Sequence, residues 1–430
     1  MISTKISNIC KQLSNNQKSP AISLVIRQFS NGANTKTKEE LLNNTGCGPL
    51  TSLTENELLM KETVHKLAKE QIEPNVREME KDGKFKNSVL DMLFKNGLLG
   101  IEIDECYGGA GSNFMTTILT VEEISKVDPS VSTLVDIHNT LVNSIIMKLG
   151  SEEQKQKYLP RLATQMVGSF AITETTSGSD AFAMKTTAKK DGSDYIINGS
   201  KMWISNADIA GLFVLFANAN PSAGYRGITC FLVDRDLDGV SVGKPEKKLG
   251  ICASGTCMVS LDNVRVPESA ILGELGQGYK YAAGFLNESR IGIGAQQLGL
   301  AQGCFDATIP YTLERTQFGQ PIFDFQSMQH QISRIATQIE CARLLVYNAA
   351  RMVEMRQPFA KQAAMAKYYA SEVAQETCVK CIDWMGGLGF SKDYIQEKFY
   401  RDCKIGSIYE GTTNMQLTTI AKLIKKEYQN

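Results

Sequence analysis

The chain has 430 residues, 43% of them hydrophobic, and its 46 basic and 46 acidic residues give a formal net charge of zero. This length and apolar content predict two or three folded domains and exclude wholesale disorder. The balanced charge disfavours a nucleic-acid partner, and no apolar run approaches the roughly 20 residues of a membrane-spanning helix.

The first part of the chain has the composition of a targeting segment. The first acidic residue is Glu39, and the stretch before it is basic and contains Ser, as mitochondrial transit peptides do. Arg27 has the spacing of a matrix processing site that cuts after Phe29. We expect a transit peptide over residues 1–29 and a location in the mitochondrial matrix; a disordered N-terminal tail is the alternative.

Residues 53–165 have the pattern of a helical domain. Thr54 and Glu57 form a capping-box sequence at the start of a helix that runs towards Ile72. Helical spacing of apolar residues recurs in residues 90–98, 115–127, 138–148 and 154–162. His138 lies among apolar residues, and we expect it to be a satisfied core or interface histidine.

The pattern changes to strands between residues 166 and 275. Short runs rich in β-branched and aromatic residues alternate with turn residues, and they occupy residues 169–173, 195–198, 212–217, 228–234 and 258–261. Asp191-Gly192 and Asn198-Gly199 predict tight turns on both sides of the second run. We predict an antiparallel β domain.

Helical spacing returns in residues 278–430. A stripe of apolar residues recurs at steps of three and four from Ile332 to Val353. An Ala-rich segment begins at Pro358 and ends at Gly386, and a final helix covers residues 414–426. Three or four long helices predict a bundle. The expected fold class is α+β, with an N-terminal α-helical domain, a middle antiparallel β domain and a C-terminal four-helix bundle.

The cysteines and histidines predict no metal site. The 11 cysteines are scattered and odd in number, which favours free thiols in a reducing compartment. Cys378 and Cys381 form a lone CxxC in a helical pattern, typical of ordinary thiols rather than of a redox or metal site. His65, His138 and His330 match no metal spacing, which disfavours a metallohydrolase and a Ser-His-Asp hydrolase.

Two segments of the β domain could hold a polar cofactor. Residues 170–180 run from a strand into a loop rich in Ser and Thr, whose backbone N–H groups could cradle a phosphate or a cofactor ring. An ordinary turn has the same composition. Trp203, within residues 201–205, could flank an aromatic cofactor or simply fill the core.

Glu410 stands out as a candidate general base. It follows an apolar stretch and precedes a Gly and a helix start, and burial would raise the pKa of its carboxyl towards neutral pH. A carboxylate that caps the next helix is an equally good interpretation of the pattern.

Together these motifs resemble those of the acyl-CoA dehydrogenases, flavoproteins that oxidise acyl-CoA thioesters to trans-2-enoyl-CoA. The resemblance covers about residues 53–427 and rests on residues 170–180, 201–205, 313–319, 384–387 and 401–412. Within the family the chain is most similar to members that act on short, branched acyl-CoA such as 2-methylbutanoyl-CoA.

The resemblance implies FAD as cofactor, acyl-CoA as substrate, electron-transferring flavoprotein as electron acceptor and a homotetramer with FAD partly across a subunit interface. Thr173 and Ser205 would hydrogen-bond the flavin ring, with Trp203 beside it. The residues implied to bind FAD are Phe170, Thr173, Trp203, Ile204, Ser205, Arg315, Phe318, Gln326, Met385, Gly386, Gly387, Thr412 and Asn414. Those implied to bind the acyl-CoA are Ser179, Tyr225, Tyr279, Asn287, Arg290 and Gly411.

The position of the base distinguishes branches of the family. Most members carry it at the position of Glu410, whereas the isovaleryl and long-chain members carry it immediately before Arg290. Here that residue is Ser289, and Glu288 would point about 100° round the helix. Glu410 is therefore the predicted base, and isovaleryl and long-chain activities are disfavoured.

The implied function is oxidation of short, branched acyl-CoA in isoleucine and fatty-acid catabolism. Alternatives on the same scaffold are a straight short-chain or isobutanoyl-CoA dehydrogenase, an acyl-CoA oxidase and an enoyl-CoA reductase. A non-catalytic flavoprotein that serves as an assembly partner in mitochondria is an alternative of another class, against which the intact Glu410 and FAD motifs argue.

Overall fold

The structure, a computed structural model, describes residues 49–429. The transit peptide predicted over residues 1–29 lies outside the described residues. Residues 49–52 form a turn in which the Ser52 N–H donates to the Pro49 carbonyl at 2.8 Å, and a separate unit begins at Leu53. Within residues 49–429, no helix combines the length and the apolar content of a membrane span.

Helices occupy most of the chain between Glu55 and Thr164. The α-helices are α1 (Glu55–Leu67), α2 (Val76–Asp82), α3 (Asn87–Lys95), α4 (Phe114–Ser125), α5 (Pro129–Asp136), α6 (Ser144–Leu149) and α7 (Glu152–Thr164). The predicted capping box of α1 is confirmed, because the Thr54 N–H donates to Glu57 Oε2 at 2.9 Å and the Glu57 N–H donates to Thr54 Oγ1 at 3.3 Å. Every residue of α4 and α5 is buried, so these two helices form the centre of this region.

His138 lies in a π-helical segment, Ile137–Asn143, that joins α5 to α6. Its ring is fully buried; Nδ1 accepts the Gly168 N–H at 3.1 Å, and Nε2 lies 3.1 Å from the Leu162 carbonyl, to which it donates. This pattern requires the neutral tautomer, and burial lowers the pKa of His138 to about 4. The prediction of a satisfied core histidine is confirmed.

Seven strands form one mixed sheet. They are β1 (Val167–Ala171), β2 (Thr187–Asp191), β3 (Asp194–Ser205), β4 (Ala210–Asn218), β5 (Ile228–Asp234), β6 (Val240–Val242) and β7 (Thr256–Pro267). The order is β1-β4-β2-β3-β7-β6, and β5 pairs with β4. The other pairings are antiparallel as predicted, but β1 and β2 run parallel to β4, with Ser169 opposite Phe213. The long connection from β1 to β4 supplies the crossover that parallel neighbours need.

One of the two predicted turns in this sheet is confirmed. Asp191-Gly192 begins the hairpin from β2 to β3, in which Asp191 pairs with Asp194. The turn predicted at Asn198-Gly199 is wrong, because β3 continues through both residues and its pairing with β7 shifts register there. Gly199 has a φ of 146°, and a Cβ at this position would collide with Thr186. The glycine therefore serves a bulge rather than a turn.

The C-terminal part of the chain is a helical bundle. Its α-helices are α8 (Gly278–Glu314), α9 (Gln326–Glu354), α10 (Ala360–Met385), α11 (Gln396–Cys403) and α12 (Thr413–Glu427), and a hairpin of β8 (Thr316–Gln317) and β9 (Gln320–Pro321) links α8 to α9. The predicted stripe on α9 is buried from Ile332 to Ala349, and Val353 is half-buried. Since α8 packs against both α10 and α4, one core continues from the N-terminal helices into the bundle. The helical, β, helical order of the predicted fold is confirmed.

Burial of His138 makes part of the stability depend on pH. Because its pKa is depressed in the folded state, the unfolded chain binds the extra proton, and the free energy of unfolding falls as pH decreases from 6.5 towards 4. His138→Gln should remove this part of the pH dependence and lower the free energy of unfolding at neutral pH by about 1–3 kcal/mol, since a buried hydrogen bond is lost. Denaturant unfolding across this pH range measures both, with His330→Gln at an exposed side chain as control. An unchanged pH dependence in His138→Gln would contradict the expectation.

Candidate active site

Glu410 lies in a loop between a 3₁₀ turn, Lys404–Ser407, and helix α12. Glu410 and Gly411 both have left-handed backbones, with φ angles of 50° and 85°. The N-cap of α12 is Thr412, whose Oγ1 accepts the Met415 N–H at 3.3 Å. Thr412 thus caps α12, which was the alternative role for Glu410. The Glu410 carboxylate is therefore not needed as a helix cap.

The Glu410 carboxylate is desolvated. Its Oε2 is buried and has no hydrogen-bond partner within residues 49–429. Burial raises the pKa of Glu410, and the charges of Arg290 and Lys367 limit that rise. Arg290, on α8, donates to Asn287 Oδ1 at 2.7 Å, and its Nη2 is 3.6 Å from where a Cβ on Gly411 would lie. A desolvated carboxylate beside a cation is suited to accept a proton near neutral pH.

Two side chains that the sequence analysis missed hold the backbone of this loop. Lys367 on α10 is fully buried, and its Nζ donates to the Gly406 and Gly411 carbonyls at 2.6 and 2.8 Å. Gln416 on α12 donates through Nε2 to the Glu410 and Gly411 carbonyls at 3.0 and 2.8 Å. The signal available in the sequence was a lysine at helical spacing from the alanines that α10 buries.

The position of the alternative base on α8 holds a hydroxyl group. Ser289 is buried, and it lies near enough to Glu410 to oppose the rise of the Glu410 pKa. Glu288 points elsewhere, because its carboxylate pairs with Lys148 Nζ at 2.7 Å and accepts from Ser144 Oγ at 3.2 Å. The rotation between successive helical positions thus separates Glu288 from the Glu410 loop, as predicted.

A buried ion pair braces the hydroxyl-rich loop of the β domain. Lys201 Nζ donates to Glu174 Oε1 at 2.9 Å and to the Ile172 carbonyl at 3.1 Å, and both charged side chains are buried. Glu174 also accepts the N–H groups of Lys185 and Thr186 at 2.7 and 3.0 Å. Burial lowers the pKa of Lys201 to about 8, and Glu174 opposes this by favouring the ammonium. The brace fixes the start of the loop while its outer residues stay exposed.

Trp203 lies on β3 beside this loop. The N–H of the preceding Met202 donates to the Thr173 carbonyl at 2.8 Å. Trp203 has a φ of 60°, and the pairing of β3 with β7 shifts register at this point. The indole is 55% exposed, while Ser205 at the end of β3 is half-buried. An exposed indole on a strained backbone favours a ligand site over core filling.

Two other predicted cofactor residues turn their side chains into the core. Phe170 packs against Phe216 with ring centroids 5.0 Å apart, and Ile204 is buried. Only their backbone groups are available to a cofactor.

The predicted acyl-CoA residues form two groups. Arg290 and Gly411 lie at Glu410, and Asn287 accepts a hydrogen bond from Arg290. Tyr225 and Tyr279 form a separate aromatic cluster, with ring centroids 5.0 Å apart. Phe182, which sequence reasoning missed, packs edge-on against Tyr279 at 6.4 Å; its place just after the hydroxyl-rich loop was the only signal. Ser179 is exposed in that loop.

Several predicted FAD residues lie on the surface near the β8–β9 hairpin. Phe318 is 96% exposed and has a φ of 51°, and Arg315 and Gln326 are exposed at either side of the hairpin. Arg290 and Arg315 are separated along one helix by about 37 Å. Within residues 49–429, no hydrogen bond or ring contact joins this surface to the Glu410 loop.

The remaining predicted FAD residues lie at helix ends. Met385 is buried at the end of α10, and the two following glycines, Gly386 and Gly387, are exposed. Gly386 has a φ of 60°, which a side chain would disfavour. Asn414 is exposed in the first turn of α12.

Comparisons with known proteins agree along the described chain. Three family models match: "Acyl-CoA dehydrogenase, N-terminal domain" over residues 54–166, the corresponding middle domain over residues 169–264 and the C-terminal domain over residues 276–425. The chain is 58% identical over 387 residues to the mitochondrial short/branched chain specific acyl-CoA dehydrogenase of Rattus norvegicus, and the match covers 90% of each chain.

Solved structures show the same fold. Butyryl-CoA dehydrogenase from Megasphaera elsdenii matches with a TM-score of 0.85 and 35% identity, covering 87% of this chain and 99% of that one. A glutaryl-CoA dehydrogenase from Mycobacterium smegmatis in complex with FADH2 matches with a TM-score of 0.82 and 31% identity, covering 86% and 95%. The fold class and the resemblance found in the sequence are confirmed, and the chain belongs to the acyl-CoA dehydrogenase family.

Proposed function

We propose that the chain is a FAD-dependent dehydrogenase that converts short, branched acyl-CoA thioesters of the 2-methylbutanoyl-CoA type to trans-2-enoyl-CoA. Family membership makes it an oxidoreductase that acts on CH–CH bonds. The name of the rat relative supports the short, branched substrate. The observation that carries the proposal is the Glu410 carboxylate, whose buried Oε2 has no hydrogen-bond partner within residues 49–429 and whose charge lies beside Arg290.

Residues of this structure fit a flavin nucleotide. Trp203 and Phe318 expose aromatic rings from left-handed backbones, and the brace from Lys201 to Glu174 holds a hydroxyl-rich loop beside Trp203. Thr173 and Ser205 would hydrogen-bond the flavin ring. FAD, when bound, supplies the hydride acceptor.

The other proposed residues would contact FAD in two ways. Some would hold its adenosine and pyrophosphate part, and two would contact it through backbone groups of the sheet. The proposed residues are Phe170 and Ile204, through their backbones, and Arg315, Phe318, Gln326, Met385, Gly386, Gly387, Thr412 and Asn414.

Glu410 would remove the α-proton of the thioester. A thioester α-carbon is a weak acid, so its carbonyl must be polarised, and the Glu410 backbone N–H would donate to that oxygen. Burial makes the carboxylate a stronger base than an exposed one, while the charges of Arg290 and Lys367 favour its ionised form. Asn287, Tyr225, Tyr279, Ser179 and Gly411 would line the acyl-CoA site together with Arg290.

We infer a homotetramer in which a second subunit completes each FAD site. The support is geometric: α8 places Arg315, at its C-terminal end, about 37 Å from Arg290, so the FAD residues near Arg315 lie far from the Glu410 carboxylate of the same subunit. The exposed Phe318 ring would be covered by such a partner. Electrons would leave to electron-transferring flavoprotein.

We infer the mitochondrial matrix as the location and isoleucine and fatty-acid catabolism as the setting. The acid-free basic segment before Glu39 and the mitochondrial name of the rat relative support this location.

A panel of acyl-CoA thioesters tests the substrate. Under anaerobic conditions, 2-methylbutanoyl-CoA should bleach the flavin absorbance faster than butanoyl- or isobutanoyl-CoA by about tenfold or more, because each lacks one carbon and one methylene in an apolar pocket is worth roughly 1–3 kcal/mol. It should also bleach the flavin faster than isovaleryl-CoA, an isomer whose methyl branch is on the β-carbon. Faster bleaching by another chain would overturn the branched preference and keep the enzyme class. A yellow protein that no acyl-CoA reduces would favour the non-catalytic flavoprotein.

Glu410→Gln tests the base. The variant should retain FAD and lower the rate of flavin reduction at least on the order of 10²–10⁴-fold, because an amide cannot accept the α-proton. Glu288→Gln makes the same change at the carboxylate that pairs with Lys148, and it should keep the wild-type rate. Stopped-flow absorbance of the bound flavin measures both, and full turnover by Glu410→Gln would contradict the assignment.

A further inference from the structure

The loop that carries Glu410 is held by side chains from two different helices. Lys367, from α10, donates to the carbonyls of Gly406 and Gly411 on either side of Glu410. Gln416, from α12, donates to the carbonyls of Glu410 and Gly411. Both side chains are fully buried. The Gly411 carbonyl accepts from both donors, so these two residues form one clamp on the Glu410 peptide.

This loop needs such a clamp because of its backbone. Glu410 and the following Gly411 are both left-handed, and a side chain in that region is strained. Strained residues persist only when the surrounding structure over-determines them. The loop belongs to no sheet, since it connects a 3₁₀ turn to α12.

Both hydrogen bonds of Lys367 Nζ go to the loop that carries Glu410, and its charge acts on the same residue. Burying an ammonium is costly, and Lys367 Nζ donates to two backbone carbonyls rather than to a carboxylate. Its neighbours on the same face of α10, Ala363 and Ala370, are buried alanines. Ser371, one turn further, also donates to the Gly406 carbonyl at 3.0 Å. Polar groups on this face therefore converge on the loop carbonyls.

We propose that Lys367 and Gln416 are positioning residues, which hold the Glu410 peptide so that its carboxylate meets the α-carbon of the substrate. The proposal rests on the proposed function, in which Glu410 is the base. Proton abstraction requires contact distances of about 3 Å, and a 1 Å misplacement can cost on the order of 100-fold in rate.

The charged and titratable groups that face Glu410 come from several helices. They are Arg290 on α8, Lys367 on α10, Asp136 at the end of α5 and the adjacent Tyr409. Burial lowers the pKa of Lys367 to about 7. The neutral amine still has N–H donors for both carbonyls, so the clamp persists on either side of that pH.

The test uses Lys367→Met and Gln416→Met in the full-length holoenzyme, since methionine is an unbranched side chain close in length to both and removes their donors. The readout is the limiting rate of flavin reduction by the preferred acyl-CoA, per bound flavin and across pH. Each variant should lower the plateau rate on the order of 10–100-fold, with little change in the acyl-CoA concentration for half-maximal rate. Because both donors share the Gly411 carbonyl, the double variant should lose less than the product of the two effects.

A matched control separates this role from general damage. Lys398 is also a buried lysine of the bundle, and it pairs with Asp402. Lys398→Met should lower the free energy of unfolding and keep the wild-type rate per bound flavin. Amide hydrogen exchange should speed up in residues 405–413 of the clamp variants and stay unchanged there in Lys398→Met.

Other outcomes overturn the proposal. A wild-type plateau rate in the clamp variants, or a shift of the pH profile with an unchanged plateau, would show that they do not position the base. A change confined to the half-maximal acyl-CoA concentration would assign them to binding instead. If Lys367→Met fails to fold, Gln416→Met and Lys367→Gln decide the question by the same criteria. Full activity of Glu410→Gln would instead overturn the proposed function, whatever the clamp variants do.

Discussion

A carboxylate that must stay ionised in desolvated surroundings is the constraint on which the rest of the site depends. Burial raises the pKa of Glu410, which strengthens it as a base but favours its protonated form. Arg290 and Lys367 supply positive charge from α8 and α10. The packing of α8 along α10 therefore also has an electrostatic consequence, since it brings both basic side chains to one carboxylate.

Backbone strain recurs at residues assigned to chemistry or cofactor binding. Trp203, Phe318 and Glu410 have positive φ angles, each at an estimated cost of about 1–3 kcal/mol. A different device stabilises each conformation: a bulge between β3 and β7, the β8–β9 hairpin, and the donors on the loop of Glu410. At Trp203 and Phe318 the left-handed backbone leaves an aromatic ring exposed that a regular strand or helix could bury.

Buried lysines brace loops in two separate regions. Lys201 ties β3 to Glu174 in the hydroxyl-rich loop, and Lys367 ties α10 to the loop of Glu410. In each case the ammonium donates to backbone carbonyls, and burial lowers its pKa. A long side chain with several donors can satisfy groups on a loop that has no regular pairing of its own. Such a brace also keeps the loop surface free for a ligand.

Local patterns in the sequence determined the order of helices and strands, the capping box at Thr54, the buried stripe of α9 and the importance of Glu410. These features depend on residues three or four positions apart, or on short motifs, so they can be read along the chain. Helical rotation alone also predicted that Glu288 would not point in the direction of Ser289, the position of the alternative base. The roles of the other site residues came from resemblance to the family rather than from a local pattern.

Only the tertiary structure decided the parallel pairing of β1 with β4, the inward packing of Phe170 and the bulge at Gly199. It also decided the convergence of Lys367 and Gln416 on the Glu410 loop, across 44 positions between Lys367 and Gly411. These features depend on which distant segments pack against each other. Lys367, for example, is long enough to reach the Gly406 and Gly411 carbonyls from α10. The spacing of residues along the chain does not predict these contacts. Helical spacing shows which face of a helix is buried but not which segment packs against that face.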